Sequence, residues 1–273
     1  MILTKAKLGV KKLFGAFGLE IGIRRPADST PRASMKGALR HLAKLGFRPP
    51  TVIDVGVANA TAELYEQFAD ANILLIEPLK EFEPFLRQIC TSYRAQYVLA
   101  AAGSKSGSAI LNVHENGFGS SLLNEVDGGT VDGTPREVPM VMIDTVVAEK
   151  KLTGPYLLKV DVQGAELQVL EGAERVLQET EVVVMEVSLI GTLVGCPQLF
   201  EVVEWMKGAG FVVYDIWGLL YRPLDDALCQ ADLVFVREKG VFRASHGYAT
   251  PQQRRVQDRI SKEMLENWAR DLR

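Results

Sequence analysis

Cysteine, histidine and long apolar runs are scarce in this chain, and each scarcity removes a class of protein. The cysteines are Cys90, Cys196 and Cys229, an odd and widely spaced set. They supply neither a disulfide framework nor a metal knuckle, and they fit a reducing, cytoplasmic setting. His41 and His246 carry no pattern, and no metal site is indicated. No apolar run reaches the roughly 20 residues of a membrane-spanning helix, and the N-terminus lacks a signal-peptide core with a small-residue cleavage site. A basic surplus is missing too: the formal net charge is −3. That argues against nucleic acid as the partner and for something small or neutral. What remains is 273 residues with 47% hydrophobic and 24% charged, enough for one large soluble core with appendages.

What is present is a repeated change of period. Residues 51–55 are a β-branched run of the kind buried on both faces of a sheet, and Pro49 and Pro50 bar a helix from running in. Asp54, Gly56 and the small residues 57–60 let the chain turn into a helix over 61–68. Residues 73–76, closed by Glu77 and Pro78, predict a second strand, 80–91 a helix, and 97–102 a third strand. Such alternation predicts parallel βαβ units. Residues 104–147 break it: strands at 109–114 and 137–143 flank a Gly-, Asn- and Ser-rich stretch, an insertion laying a loop over the site. Strands at 156–161, 182–187, 211–216 and 232–236, with helices at 34–45, 165–178 and near 198–207, complete the core. Residues 217–223 are too short for a crossover helix, so the last strand runs antiparallel. The expected fold is α/β and Rossmann-like, with a seven-stranded, mostly parallel sheet.

Residues 1–33 form a basic arm in which Lys5, Lys7, Lys11 and Lys12 oppose a helical face of Leu3, Leu8, Leu13, Phe14 and Phe17. Such an arm either lies on an anionic membrane surface or packs on the domain or a second subunit. The division expected is this arm, a domain over 34–238, and a polar helical extension over 239–273, packed externally or against a partner.

A strand, a small-residue turn and a helix start are where open α/β sheets take nucleotide-like ligands. A dinucleotide site would show G-x-G-x-x-G, but only Gly56 stands here, and the charge of Asp54 repels a pyrophosphate while suiting an ammonium. Glu77 at the end of the second strand can accept two hydrogen bonds from a ribose diol. The pair points to S-adenosylmethionine, with Asn59, Pro78 and Ala101 in the adjoining turns. The bland alternative has Asp54 capping the next turn and Glu77 solvated.

The segments D-V-G at 54–56, I-E-P at 76–78, S-S-L at 120–122, M-E-V at 185–187 and above all L-K-V-D-V-Q-G-A-E-L-Q-V-L-E-G-A at 158–173 resemble the FkbM family of methyltransferases, over residues 52–236. The resemblance implies a class I, S-adenosylmethionine-dependent O-methyltransferase acting on a sugar, glycan or polyketide-type metabolite. This sequence departs from the family at Ala60, where relatives carry a second glycine, and at Gln163, where glutamate is frequent. Methyl transfer to a hydroxyl needs positioning and a base. Asp161, also beside the cofactor, is the first candidate and Glu186 the second. Glu166 divides between that role and support of a helix start, and His114 by the inserted loop is a fourth candidate. Asp161, Glu166 and Glu186 would bind a cation only if they converge. Lys159 either pairs with an acid or serves the site. Ser120 and Ser121 either bond the cofactor or acceptor or make a local turn. Trp217, Tyr221 and Arg222 stack on a sugar or form a lid. Two other readings stand beside this one: a nicotinamide-dependent oxidoreductase, and a degenerate methyltransferase scaffold used for binding. A homodimer and peripheral contact with the inner face of a membrane are the further partners considered.

Overall fold

The computed structural model describes residues 32–271, so the basic arm read at 1–33 lies almost wholly outside the described residues. Helix α1 (Met35–Lys44) starts where the Ser34 hydroxyl accepts the Gly37 N–H at 3.2 Å, and it ends before Gly46, whose φ of +96° leaves the helical region. Then come β1 (Thr51–Val55), α2 (Ala62–Gln67), β2 (Asn72–Glu77), α3 (Glu83–Ser92) and β3 (Ala95–Leu99). β4 (Ala101–Ala102), β5 (Gly107–Val113) and β6 (Thr134–Val141) form a separate small sheet of order β4-β6-β5. The chain returns through α4 (Ile143–Glu149), β7 (Tyr156–Val160), α5 (Glu166–Glu171), α6 (Glu174–Gln178), β8 (Thr180–Ser188) and α7 (Leu199–Gly208). It closes with the hairpin of β9 (Phe211–Tyr221) and β10 (Leu228–Arg237), then α8 (Pro251–Asp271).

The main sheet has the order β3-β2-β1-β7-β8-β10-β9. Its first five strands are parallel, and β10 runs antiparallel to both neighbours. Leu39, Leu64 and Leu86 of α1–α3 fill the core on one face, while Val146, Val169, Val176 and Val202 of α4–α7 fill the other. Helices on both faces are why β1 reads as an unbroken apolar run and why all five of its residues are buried. Strand order reverses between β1 and β7, and ligands gather in the crevice beyond such a reversal.

Four local expectations change. The third strand ends at Leu99, because Ala101 and Ala102 pair with Met140 and Val141 of the second sheet. Ile143, expected in a strand, opens α4. The helix expected over 165–178 breaks at Gly172, where a Cβ would lie 2.0 Å from the Gly103 carbonyl oxygen. That break lets the Asp144 carboxylate accept the N–H groups of Arg175 and Val176, each at 2.9 Å, at the start of α6. Residues 217–221, expected as a connection, extend β9 instead. Helix α8 adds nothing to the core, and Val256, Ile260, Met264 and Trp268 along it are exposed.

Candidate active site

The crevice is built around Gly56. Its φ is +76°, and a Cβ there would lie 1.8 Å from the Asp161 carbonyl oxygen, so only glycine lets the ends of β1 and β7 close together. On the β2 side, Glu77 Oε2 accepts the Ala58 N–H at 2.8 Å and Oε1 accepts the Leu79 N–H at 2.9 Å. Burial raises the pKa of this carboxylate, and the two amides pull it back. Gly56, Glu77, Pro78, Ala101, Ser120 and Asp161 all border one cavity of about 140 Å³. Phe118 narrows it by packing edge-on against Phe82, with ring centroids 5.3 Å apart, and it stands between Gly117 and Gly119, both at positive φ.

Behind the cavity lies a buried charge cluster. Asp54 and Lys159 are register partners on β1 and β7, which puts their side chains on the same face. Lys159 Nζ lies 3.2 Å from Asp54 Oδ1 and 3.4 Å from Asp161 Oδ2, and it donates to the Gly56 carbonyl at 2.9 Å. Burial alone would pull the lysine pKa down, but Asp54 and Asp161 outweigh it and hold it above the ordinary value. The Tyr65 hydroxyl donates to Asp54 Oδ2, and burial and that carboxylate push the tyrosine pKa up.

In front lies a second cluster, at the ends of β7, β8 and β10. Gln163 Nε2 donates to Asp161 Oδ1 at 3.0 Å and to Glu186 Oε1 at 2.9 Å, and Gln230 Nε2 also donates to Glu186 Oε1 at 2.9 Å. Burial, then the charges of Asp161 and Asp232, push the Glu186 pKa up to about 8. Burial and Asp161 push Asp232 up to about 6. Among the described residues no group of His, Cys, Asp and Glu is arranged to hold a metal ion.

Of the remaining sequence candidates Ser120 lines the cavity, and Asp54, Asn59, Ser121, His114, Glu166 and Glu186 do not. Asp54 is fully buried against Tyr65 and Lys159 and does not border the cavity. Asn59 is exposed, and its Oδ1 accepts the N–H of Ala60. Ala60 is exposed as well and does not line the cavity; the left-handed residue of the turn is Ala58, at φ +48°. Ser121 donates to the Gln163 carbonyl at 2.6 Å and pins the inserted loop, while Ser120 lines the cavity with its hydroxyl donated to the Gly117 carbonyl. Glu166 Oε1 accepts the N–H groups of Val162 and Gly164 at 3.2 and 3.0 Å, so it holds the β7–α5 loop, and burial pushes its pKa up to about 7. His114 Nε2 faces Glu125 at 3.9 Å, away from the cavity lining. Sequence reading missed Asp232, although a carboxylate opening the apolar run L-V-F-V was a usable signal. The bridging role of Gln163 left no such signal, since it depends on strands that meet only in the fold.

A sequence model of the FkbM methyltransferase domain matches residues 54–213. No curated protein matches the sequence. Among solved structures, precorrin-6y C5,15-methyltransferase from Geobacter metallireducens is 11% identical, with a TM-score of 0.39 over 79% of this chain and 100% of that one. Magnesium protoporphyrin IX methyltransferase from Synechocystis is 8% identical, with a TM-score of 0.40 over 78% of this chain and 88% of that one. Among the described residues no helix is long and apolar enough to cross a membrane.

Proposed function

The chain belongs to the FkbM methyltransferase family, and on that premise we propose that it binds S-adenosylmethionine beyond β1, β2 and β7 and methylates a hydroxyl of a small-molecule acceptor. The observation that carries this is Glu77, a carboxylate only 4% exposed, on the rim of the crevice one strand from the glycine turn. After accepting two amides it keeps lone pairs for a ribose diol. The donor set suits the cofactor: Gly56 lets the ends of β1 and β7 close together beneath the crevice, and Asp161 opens onto the same cavity. A cavity of about 140 Å³ is smaller than the ~300–1,000 Å³ of ordinary ligand sites, and Phe118, set between two glycines at positive φ, borders it.

When bound, S-adenosylmethionine supplies an electrophilic methyl group. The chain's own part is to orient the acceptor hydroxyl and remove its proton. Glu186 fits the base: a proton affinity near 8 lets it take a proton close to neutral pH, whereas Asp161 stays beside the Lys159 ammonium. Gln163 holds the two carboxylates at fixed separation. Because the base works unprotonated, turnover rises with pH and levels off above about 8.

Calorimetry with S-adenosylhomocysteine tests the cofactor: absence of binding sinks it. Glu77→Gln keeps the shape, and loss of a charged hydrogen bond of about 1.5–3 kcal/mol should weaken binding by roughly 10- to 100-fold; unchanged affinity removes the ribose contact. Glu186→Gln should fold and bind S-adenosylhomocysteine, yet lower transfer of labelled methyl groups into extract metabolites by roughly 10²–10⁴-fold. NAD⁺ should leave the melting temperature unchanged; a rise would favour the oxidoreductase reading.

A further inference from the structure

Helix α8 starts as a well-capped helix, yet no described residue buries its apolar side. The Gln253 N–H donates to the Thr250 hydroxyl at 3.3 Å, and the Thr250 N–H donates to Gln253 Oε1 at 2.8 Å. Val256, Ile260, Met264 and Trp268 then recur at every fourth position and form one ridge, with Leu265 beside it. These five are 51% to 66% exposed, and residues 251–270 are exposed throughout. A lone helix of this length is marginal in water, because helices in proteins draw most of their stability from packing an apolar face. The ridge therefore calls for a partner.

The chain's own N-terminal arm is the partner nearest at hand. Arg32, the first described residue, pairs through Nε with Asp215 on the edge strand β9. The segment leading to α8 is tied to the same stretch of β9. Phe242 packs on Tyr214 with ring centroids 5.8 Å apart, and the Arg243 guanidinium lies 5.9 Å from the Tyr214 ring and donates to the Val213 carbonyl at 2.5 Å. The arm and α8 thus join the domain at neighbouring residues. Fully extended, residues 18–31 reach up to about 46 Å and residues 244–250 up to about 23 Å. Tethers of that length hold two segments at a local concentration of about millimolar, whereas a second copy meets α8 only at the bulk concentration of the protein.

Size and charge favour the same choice. As helices, Leu3 to Phe17 would cover about 21 Å and the ridge from Val256 to Trp268 about 18 Å. Residues 1–31 hold six cations and two acids, a net charge of +4, so the rest of the chain carries −7 of the overall −3. An acidic body attracts a basic arm and is repelled by an anionic bilayer.

We propose that residues 3–17 lie along α8, their Leu and Phe side chains covering the ridge from Val256 to Trp268, so that the two segments make one helical layer tied to β9. This pairing does not depend on the methyltransferase reading.

Amide hydrogen exchange of the full chain, read by mass spectrometry, tests it. Residues 254–268 should exchange roughly tenfold or more slowly than the same residues in a free peptide. Phe14→Asp with Phe17→Asp should abolish that protection and leave β1 and β7 unchanged, and Ile260→Asp with Met264→Asp should likewise release residues 3–17. Combining the two pairs should cost no more protection than either pair alone. The wild-type protection should persist over a roughly hundredfold dilution and without lipid. Protection of α8 untouched by Phe14→Asp with Phe17→Asp overturns the pairing, as does an α8 unprotected under every condition. Loss on dilution overturns it in favour of a second copy, and protection that arises only with phosphatidylserine vesicles overturns it in favour of a membrane.

Discussion

Two charge clusters share Asp161 and are treated oppositely by the fold. Behind it, Asp54 and Lys159 are matched in charge and sealed from water, with Tyr65 bonded to the carboxylate. In front, Asp161, Glu186 and Asp232 outnumber their cations; the neutral amides of Gln163 and Gln230 hold the first two, and the Trp217 side chain donates to Asp232. A matched pair in the dry interior fixes strand register and keeps its charges. An unmatched group at the strand ends can relieve its repulsion only by binding protons, which is how the Glu186 and Asp232 pKa values come to be raised. The first cluster is built to stay still and the second to exchange protons.

Breaking the rear cluster should cost most. Lys159→Ala leaves Asp54 buried with Tyr65 as its remaining side-chain partner, and urea denaturation should show a loss of about 3–5 kcal/mol. A loss below about 1 kcal/mol would mean that water reaches Asp54. Gln163→Glu attacks the front cluster by replacing a shared donor with a fourth carboxylate. We expect a loss of about 2–3 kcal/mol at pH 9, where Glu186 is ionised, and less at pH 6. Equal losses at the two pH values would mean that Glu186 does not titrate between them.

The front cluster also sets a pH slope. Glu166, Glu186 and Asp232 have folded pKa values of about 7, 8 and 6, above their ordinary 4.5, 4.5 and 3.8. The native state therefore holds protons that the unfolded chain has released, and stability falls as pH rises from about 4 to about 8, then levels off. Glu186→Gln should remove the upper part of the fall in a melting-temperature profile and Asp232→Asn the lower part; a flat wild-type profile contradicts the front cluster as described. The smallest effect is at the turn after β1, where the Ala58 N–H meets Glu77. Ala58→Gly relieves a left-handed alanine by about 1–2 kcal/mol but adds freedom to the unfolded chain worth about 0.4–1 kcal/mol, so a net stabilisation near 1 kcal/mol or less is expected.

Most of the sheet was legible because helices on both faces force its strands into short, unbroken apolar runs, as at Thr51–Val55 and Tyr156–Val160. Gly56, Glu77 and Asp161 were legible because each sits where a strand ends and period changes. The misread elements are those decided by a partner distant in sequence: Ala101–Ala102 follow β6, and Gly172 breaks a helix because Gly103 passes it. The same reason hid the division of labour among the carboxylates. Asp54 and Asp161 stand in one motif-like pattern in the sequence, and only the register of β1 against β7 turns the first toward Lys159.

The long final hairpin places Trp217 opposite Asp232, and the Trp217 side chain donates a hydrogen bond to that carboxylate. Trp217 is 5% exposed, so its indole reports on protein surroundings rather than on bulk water. The protein thus carries a built-in optical indicator. With Trp205 and Trp268 replaced by Phe, the emission of the remaining indole should shift across pH 6 as Asp232 gains its proton, so the ionisation of the front cluster can be followed by light, with no acceptor and no turnover.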